Sequence, residues 1–169
     1  MTDHINELRI EPITKEHVRK SFHCGKPQLD EYIQRHARQN DEKNISKTFV
    51  AVNDENIVVG YYALCTSSIE FEELPEEIIK QLPSYPIPAA LIAKLAVDDS
   101  LRGQGLGAKL LIDALQRILA ASQEIAIKAV LVDAIDDDAL AFYQHFEFIE
   151  LPDQDLKLFL PIETIQQLF

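Results

Sequence analysis

The chain has 169 residues, of which 47% are hydrophobic, and this is enough to bury the core of one compact domain over residues 1–169. The first residues lack the basic and apolar regions of a signal peptide, and no apolar run approaches the roughly 20 residues that span a bilayer, so we expect a cytoplasmic protein without a membrane anchor. Sixteen Lys and Arg residues against 28 Asp and Glu residues give a net charge of −12, which argues against a generally basic, nucleic-acid-binding surface.

The first half of the chain predicts short elements. Residues 8–12 indicate a strand, a short helix is expected from Thr14, and apolar residues at helical spacing predict a helix over about 27–40. Residues 48–53 and 57–67 alternate or run apolar on both sides of a polar turn, which predicts a β-hairpin. Residues 71–88, acidic and rich in proline, predict a surface excursion around a short helix.

The second half predicts strands that alternate with helices. Residues 91–97 indicate a strand, with Leu95 and Val97 on one face and Lys94 and Ala96 on the other, followed by a turn and an amphipathic helix from Leu106. A buried strand over 129–134, a helix within 136–148 that begins at aspartates, and a last strand over 157–160 follow. Together these elements predict an α/β fold, with a mixed, mostly antiparallel sheet flanked by helices.

A glycine-rich turn joins strand 91–97 to the following helix. Its sequence, Arg102-Gly-Gln-Gly-Leu-Gly107, removes side chains where backbone N–H groups can approach an anion, and the helix start adds unpaired N–H groups and a positive dipole end. The spacing fits neither a Walker A loop nor a Rossmann fingerprint. The turn therefore predicts a diphosphate cradle, the alternative being a tight connection without a ligand.

This turn, together with the preceding Leu95-Ala-Val-Asp98, resembles the acetyl-CoA-binding motif of the GNAT superfamily of N-acetyltransferases. The resemblance implies the GNAT fold, acetyl-CoA as acetyl donor, and a coenzyme A pyrophosphate bound by backbone amides of the loop. It also implies that the strand backbone pairs with the pantetheine arm as an added strand would. The cofactor-binding residues expected are Leu95, Ala96, Val97, Arg102, Gly103, Gln104, Gly105, Leu106, Gly107 and Ala108.

In this superfamily the helix after the second buried strand carries a tyrosine, which corresponds to Tyr143 here. A phenol with an ordinary pKa of about 10 holds a proton at neutral pH and can give it to the departing thiolate. We therefore expect Tyr143 to be the catalytic acid. The alternative is that Tyr143 and its aromatic neighbours Phe142, Phe146 and Phe148 form part of the core.

Residues 22–40, 60–64, 86–88 and 90–107 further resemble a GNAT subgroup, the toxin acetyltransferases of bacterial toxin–antitoxin operons, and the resemblance as a whole covers residues 22–148. This resemblance implies transfer of acetyl to the α-amine of aminoacyl-tRNA and a ribbon-helix-helix antitoxin as partner. Such an α-amine has an ordinary pKa of about 7.7–8.0, so it needs little help from a base. The alternatives are an enzyme for a small amine or a protein N-terminus, and a coenzyme A-binding regulatory module without turnover. A homodimer is left open.

The positive charge is concentrated at the N-terminus. Residues 1–50 contain 9 basic and 8 acidic residues, a net charge of +1, whereas residues 51–169 contain 7 and 20, a net charge of −13. We expect Arg35, Arg38 and Lys94 to bind the acceptor, the alternative for the N-terminal basic residues being solvated helix faces. His36 is a weak candidate base, and Asp133 is interpreted as a turn or cap residue, so no general base is assigned.

Cys24 and Cys65 are the two cysteines of the chain. They are too few for a disulfide scaffold and lack the spacing of metal ligands, so we interpret them as free thiols, with Cys65 in a strand, and expect no bound metal.

Overall fold

The structure is a computed structural model that describes residues 3–84 and 86–169, so Tyr85 of the predicted excursion lies outside the described residues. The described residues form seven strands in one mixed sheet with the order β1-β2-β3-β4-β5-β7-β6. The strands are β1 (Arg9–Pro12), β2 (Lys47–Val52), β3 (Val58–Ile69), β4 (Ile87–Val97), β5 (Ala129–Asp133), β6 (Ile149–Glu150) and β7 (Lys157–Pro161). The pairing of β4 with β5 is parallel, whereas β1–β2, β2–β3, β5–β7 and β6–β7 are antiparallel.

The helices flank this sheet in the mixed α/β arrangement that the sequence predicts. One helical segment contains α2 (Pro27–Glu31), a π turn (Tyr32–His36) and α3 (Ala37–Glu42). The others are α1 (Asp3–Asn6), α4 (Glu76–Ile79), α5 (Leu106–Ala121), α6 (Asp137–His145) and α7 (Ile162–Leu168). Within the described residues, no helix is long and apolar enough to cross a membrane.

The chain divides into two compact units, each with its own core. The first unit, formed by residues up to Cys65 and by Ala93–Leu115, buries a cluster that includes Phe22, Ile33, Tyr61 and Ala96. The second unit, formed by Thr66–Ile92 and Gln116–Phe169, buries a cluster around Ile69, Leu74, Ile87, Ala129, Leu151 and Phe159. Apolar burial of this kind is the main stabilising contribution within each unit.

The predicted helix from Thr14 is wrong, because backbone pairing holds this segment in another conformation. The Val18 N–H donates to the Asn56 carbonyl at 2.8 Å, and the Val18 carbonyl accepts from the Val58 N–H at 2.9 Å. The buried His17 ring accepts from the Thr14 N–H through Nδ1 at 3.0 Å and therefore donates from Nε2 to the Glu11 carboxylate at 2.7 Å. The segment therefore forms turns and a bridge beside β3.

Two further predictions need correction. The segment 71–88 is not only a surface excursion, because its apolar side chains belong to the second core. Leu74 is 5% exposed, and Ile78, Ile79 and Leu82 pack against that core. Asp133 is the exposed last residue of β5, and the cap of α6 is instead Asp136, whose carboxylate accepts from the Ala139 N–H at 2.9 Å. The free state of both cysteines and the place of Cys65 in β3 are confirmed.

Candidate active site

A tight turn links the end of β4 to α5. The Asp98 carboxylate accepts hydrogen bonds from the Ser100 backbone N–H at 3.0 Å and from its hydroxyl at 2.8 Å, beside a single 3₁₀ turn over Asp99–Leu101. Gly103 and Gly105 then have φ values of 77° and 89°. L side chains rarely adopt this left-handed conformation, so the backbone path itself favours glycine at both positions.

Open space lies over both loop glycines, because a Cβ added at Gly103 or Gly105 would meet no heavy atom within 4 Å. The first turn of the 16-residue α5 begins directly behind them with Leu106, Gly107 and Ala108. Its N–H groups have no partners inside the helix, and its dipole is positive at this end. The loop therefore fits the diphosphate of coenzyme A, and the binding role of residues 103–108 stays a prediction.

A third glycine fixes the position of α5 on the sheet. A Cβ added to Gly60 of β3 would lie 3.0 Å from Leu110 Cδ1, 3.1 Å from Leu106 Cδ2 and 3.3 Å from the Ala96 carbonyl oxygen. Leu106 and Leu110 are 1% and 0% exposed, so this is the centre of the buried helix face. The absence of a side chain at Gly60 allows the start of α5 to approach β3 closely.

The strand before the loop extends beyond its pairing with β5. The parallel register runs from Ala89, opposite Ala129, to Ile92, opposite Val132, and β4 continues to Val97. Ala96 is buried in the first core, whereas Leu95 and Val97 are partly buried. Leu95, Ala96 and Val97 thus belong to the segment that the resemblance assigns to the pantetheine arm, a role that stays a prediction.

The Arg102 guanidinium points at protein groups. Its Nη2 donates to the Cys24 carbonyl at 2.7 Å and to Asp99 Oδ1 at 2.5 Å. The same Asp99 carboxylate contacts His23 Nδ1 through Oδ2 at 2.8 Å. Arg102 was predicted as a cofactor-binding residue, and the structure shows that its side chain is engaged with the segment before α2.

Tyr143 lies on α6 within an aromatic cluster. Its side chain is buried, and the rings of Phe142 and Phe148 meet it edge to face, with centroids at 5.2 and 5.4 Å. Burial raises the pKa of the Tyr143 phenol above its usual value, so the group is protonated at neutral pH. A buried, protonated tyrosine is expected whether Tyr143 is the catalytic acid or a core residue, so its catalytic role stays a prediction.

Lys94 lies beside the π turn. Its Nζ is 5.5 Å from the centroid of the Tyr32 ring, a cation–π distance. The Tyr32 ring stacks on Tyr61 with centroids 6.0 Å apart, and its hydroxyl shares a 2.6 Å hydrogen bond with Ser46 Oγ. The structure thus brings Lys94 of β4 to the helical segment that was predicted to contact the acceptor, at a kind of turn that often marks functional sites.

Arg35 and Arg38 both follow Tyr32 on this helical segment. Arg35 is exposed, and with the residues that the structure describes its side chain forms no hydrogen bond or ion pair. Arg38 Nε lies 3.4 Å from Glu42 Oε1, so its charge is partly compensated. His36 Nε2 lies 3.7 Å from Glu31 Oε1 on the exposed side. Of these side chains, Arg35 has the positive charge that is least compensated by a neighbouring carboxylate.

Sequence reasoning did not find the contacts that link residues 23–25 to residues 98–102. They join positions 75 to 78 apart in the chain, and no local pattern marks such pairs. The tyrosine stack under Lys94 was missed for the same reason. Gly25, two residues before a helix that begins at Pro27, was the available signal of an unusual turn.

Residues 44–150 match the acetyltransferase (GNAT) domain family. A tRNA-acetylating toxin of Mycobacterium tuberculosis is 38% identical over 148 residues, which cover 88% of this chain and 88% of that protein. The structure of AtaT complexed with acetyl-methionyl-tRNAfMet has a TM-score of 0.90 at 32% identity, covering 96% of this chain and 99% of that one. A tyrosine-to-phenylalanine mutant of AtaT, bound to the C-terminus of the antitoxin AtaR and acetyl-CoA, has a TM-score of 0.84 at 29% identity and covers 96% and 98%.

Proposed function

We propose that this chain, which belongs to the GNAT acetyltransferase family and is an acetyl-CoA-dependent N-acetyltransferase, acetylates the α-amine of aminoacyl-tRNA. It would act as the toxin of a toxin–antitoxin pair. The observation that carries this assignment is the 38% identity, over 88% of both chains, to a protein named as a tRNA-acetylating toxin.

On the donor side, acetyl-CoA supplies an activated thioester when it is bound. The chain contributes the N–H groups of residues 103–108, which would hold the pyrophosphate, and the backbone of residues 95–97, which would pair with the pantetheine arm. The left-handed Gly103 and Gly105 and the open space above them support this assignment. Because the contacts are made by backbone groups, they place the donor without requiring a charged side chain in the loop.

Tyr143 would act as the general acid. As the amine nitrogen forms a bond to the thioester carbonyl carbon and the bond to sulfur breaks, the Tyr143 hydroxyl gives its proton to the sulfur. The amine nitrogen loses one proton to solvent, and solvent returns a proton to the Tyr143 phenolate, so the step balances. A raised pKa keeps this proton in place at neutral pH.

On the acceptor side, an α-amine next to a carbonyl is largely neutral near pH 8, so attack requires little help from a base. Lys94, held over the Tyr32 ring, would contact the acceptor end. Arg35 and Arg38 would contact phosphates, because the N-terminal 50 residues carry the available positive charge and the remaining residues have a net charge of −13.

A charge-reversal experiment tests the acceptor. Arg35→Glu combined with Arg38→Glu should lower kcat/KM on aminoacyl-tRNA far more than on a free amino-acid ester, which has the same amine but no phosphates. Each lost phosphate contact should also reduce the slope of log(kcat/KM) against log[salt] by roughly 0.7–0.9. Lys80→Glu combined with Lys157→Glu, at two exposed lysines outside the N-terminal segment, changes the net charge by the same amount and is the matched control. Equal losses on both acceptors, or rates on tRNA that ignore salt, would exclude the aminoacyl-tRNA assignment.

We also propose a ribbon-helix-helix antitoxin as partner and the cytoplasm, where aminoacyl-tRNA occurs, as the site of action. The AtaT structure with the C-terminus of its antitoxin supports such a partner for this chain. Co-expression with the product of an adjacent small gene should relieve growth arrest, and growth arrest that persists would contradict the pairing.

A further inference from the structure

Four hydrogen bonds tie residues 23–24 to residues 98–102, a fifth joins Arg102 to Asp99, and we call this set the clamp. The His23 N–H donates to Asp98 Oδ2 at 3.0 Å, and the Asp99 N–H donates to the His23 carbonyl at 2.9 Å. His23 Nδ1 contacts Asp99 Oδ2 at 2.8 Å, and Arg102 Nη2 completes the set with its bonds to Asp99 Oδ1 and the Cys24 carbonyl. Asp99 thus lies between the imidazole and the guanidinium.

The backbone of Gly25 allows Arg102 to reach this position. Gly25 has a φ of 85°, and a Cβ added there would lie 3.5 Å from Arg102 Nη2 and 3.9 Å from Asp99 Oδ1. These are ordinary van der Waals distances, so the cost of a side chain at Gly25 would come from backbone strain at a positive φ.

The clamp orients the start of α2. The chain runs from Cys24 through Lys26 directly into α2, and the Lys26 carbonyl accepts from the Leu29 N–H at 3.0 Å. The Cys24 N–H donates to Asp30 Oδ1 at 2.8 Å, so the carbonyl and the N–H of the same residue connect Arg102 to the helix. The helical segment that α2 begins contains Arg35, which would bind the acceptor.

The glycine loop does not depend on the Arg102 side chain for its shape. Asp98 closes the 3₁₀ turn through Ser100, and the Asp98 N–H donates to the Val59 carbonyl at 2.8 Å. Removal of the guanidinium therefore leaves these contacts and the left-handed Gly103 and Gly105 in place.

On the basis of the function proposed above, we infer that Arg102 is a positioning residue for the acceptor, acting through the Cys24 carbonyl and Asp99, and is not a ligand of the pyrophosphate. The side chains of Arg102 and Asp99 should then contribute to the affinity for aminoacyl-tRNA and little to the affinity for acetyl-CoA. A phosphate ligand would show the opposite pattern.

The test compares Arg102→Gln, Asp99→Asn and the double variant. We expect each single variant to raise KM for aminoacyl-tRNA by roughly 3- to 10-fold, a modest effect because the Arg102 side chain is 66% exposed. The acetyl-CoA Kd, measured by calorimetry, should change less than threefold. The double variant should be less impaired than the two single effects combined, because both substitutions remove the Arg102–Asp99 contact.

Two results would overturn the inference. The first is an acetyl-CoA Kd raised tenfold or more by Arg102→Gln, with binding of acetyl-pantetheine, which lacks the pyrophosphate, unaffected. The second is an unchanged KM for aminoacyl-tRNA in both single variants. Failure of the proposed function appears separately, in the parent enzyme, as normal acetyl-CoA binding without turnover of aminoacyl-tRNA. Thermal unfolding of each variant excludes loss of the fold as the cause.

Discussion

Replacing Gly105 by Asp and by Asn separates charge from shape in the glycine loop. Both side chains have the same size and both tolerate the left-handed conformation better than other residues, so they share any strain at φ 89°. Both would project into the open space that the structure shows beside Gly105. Only Asp adds a negative charge next to the predicted pyrophosphate position.

The expected magnitudes follow from this geometry. Strain of about 1–2 kcal/mol, shared by both variants, should lower Tm by roughly 2–8 °C for a chain of this length. One added charge about 6 Å from one phosphate charge costs about 0.7–3 kcal/mol at an effective dielectric constant of roughly 20–80. Asp should therefore weaken acetyl-CoA binding by about 3- to 100-fold more than Asn does.

Calorimetry with acetyl-CoA at low and high salt provides the measurement, with acetyl-pantetheine as the control donor. The difference between Asp and Asn should shrink as salt screens the charge, and it should disappear with acetyl-pantetheine. Equal acetyl-CoA affinities for the Asp and Asn variants at low salt would refute the placement of the pyrophosphate at this loop.

Three further outcomes are expected. Tyr143→Phe should lower kcat by about 10²-fold with little change in acetyl-CoA Kd, measured by steady-state kinetics and calorimetry, and an unchanged kcat would assign Tyr143 to the core. Gly60→Ala should destabilise the protein by about 1–3 kcal/mol in thermal or denaturant unfolding, because its Cβ would crowd Leu110 and Leu106, and a neutral effect would contradict the close packing of α5 on β3. The hydrogen bond to Asp99 raises the pKa of His23 above its ordinary value of 6.5, so its stabilising contribution is complete below that value and is lost as pH rises through the raised pKa. NMR titration should show this pKa fall in Asp99→Asn, and an unchanged pKa would contradict the contact.

The parts of the fold that the sequence predicted well have local causes. The helix from Leu106 is confirmed as α5, Leu106–Ala121, because its apolar residues recur on one face, and the hairpin is confirmed by the pairing of Lys47–Val52 with β3. The helix within 136–148 is confirmed as Asp137–His145 because a cap residue and helical spacing lie close together. Each of these signals is contained in one continuous segment of the chain.

The parts that were missed depend on contacts between distant residues. The turn around Val18 is held by hydrogen bonds to residues 56–58. The π turn over Tyr32–His36 was missed because its apolar residues have the same spacing as in an ordinary α-helix. The Arg102 side chain donates to the Cys24 carbonyl, 78 positions away, so the sequence motif predicts the arginine but not this contact. In these segments, contacts between distant residues determine the conformation, and local sequence preferences do not.

The uneven charge of the chain has a consequence for acceptor binding. With a net charge of −13 beyond residue 50, most of the chain would repel a polyanion, whereas the proposed contacts at Arg35 and Arg38 would attract it. Repulsion elsewhere lowers non-specific affinity for RNA and leaves approach by the N-terminal helices as the favoured orientation. Because the helical segment that contains Arg35 follows the clamp, the clamp contacts would orient an acceptor bound there. We therefore expect specificity for a correctly placed amine to come from orientation more than from total affinity.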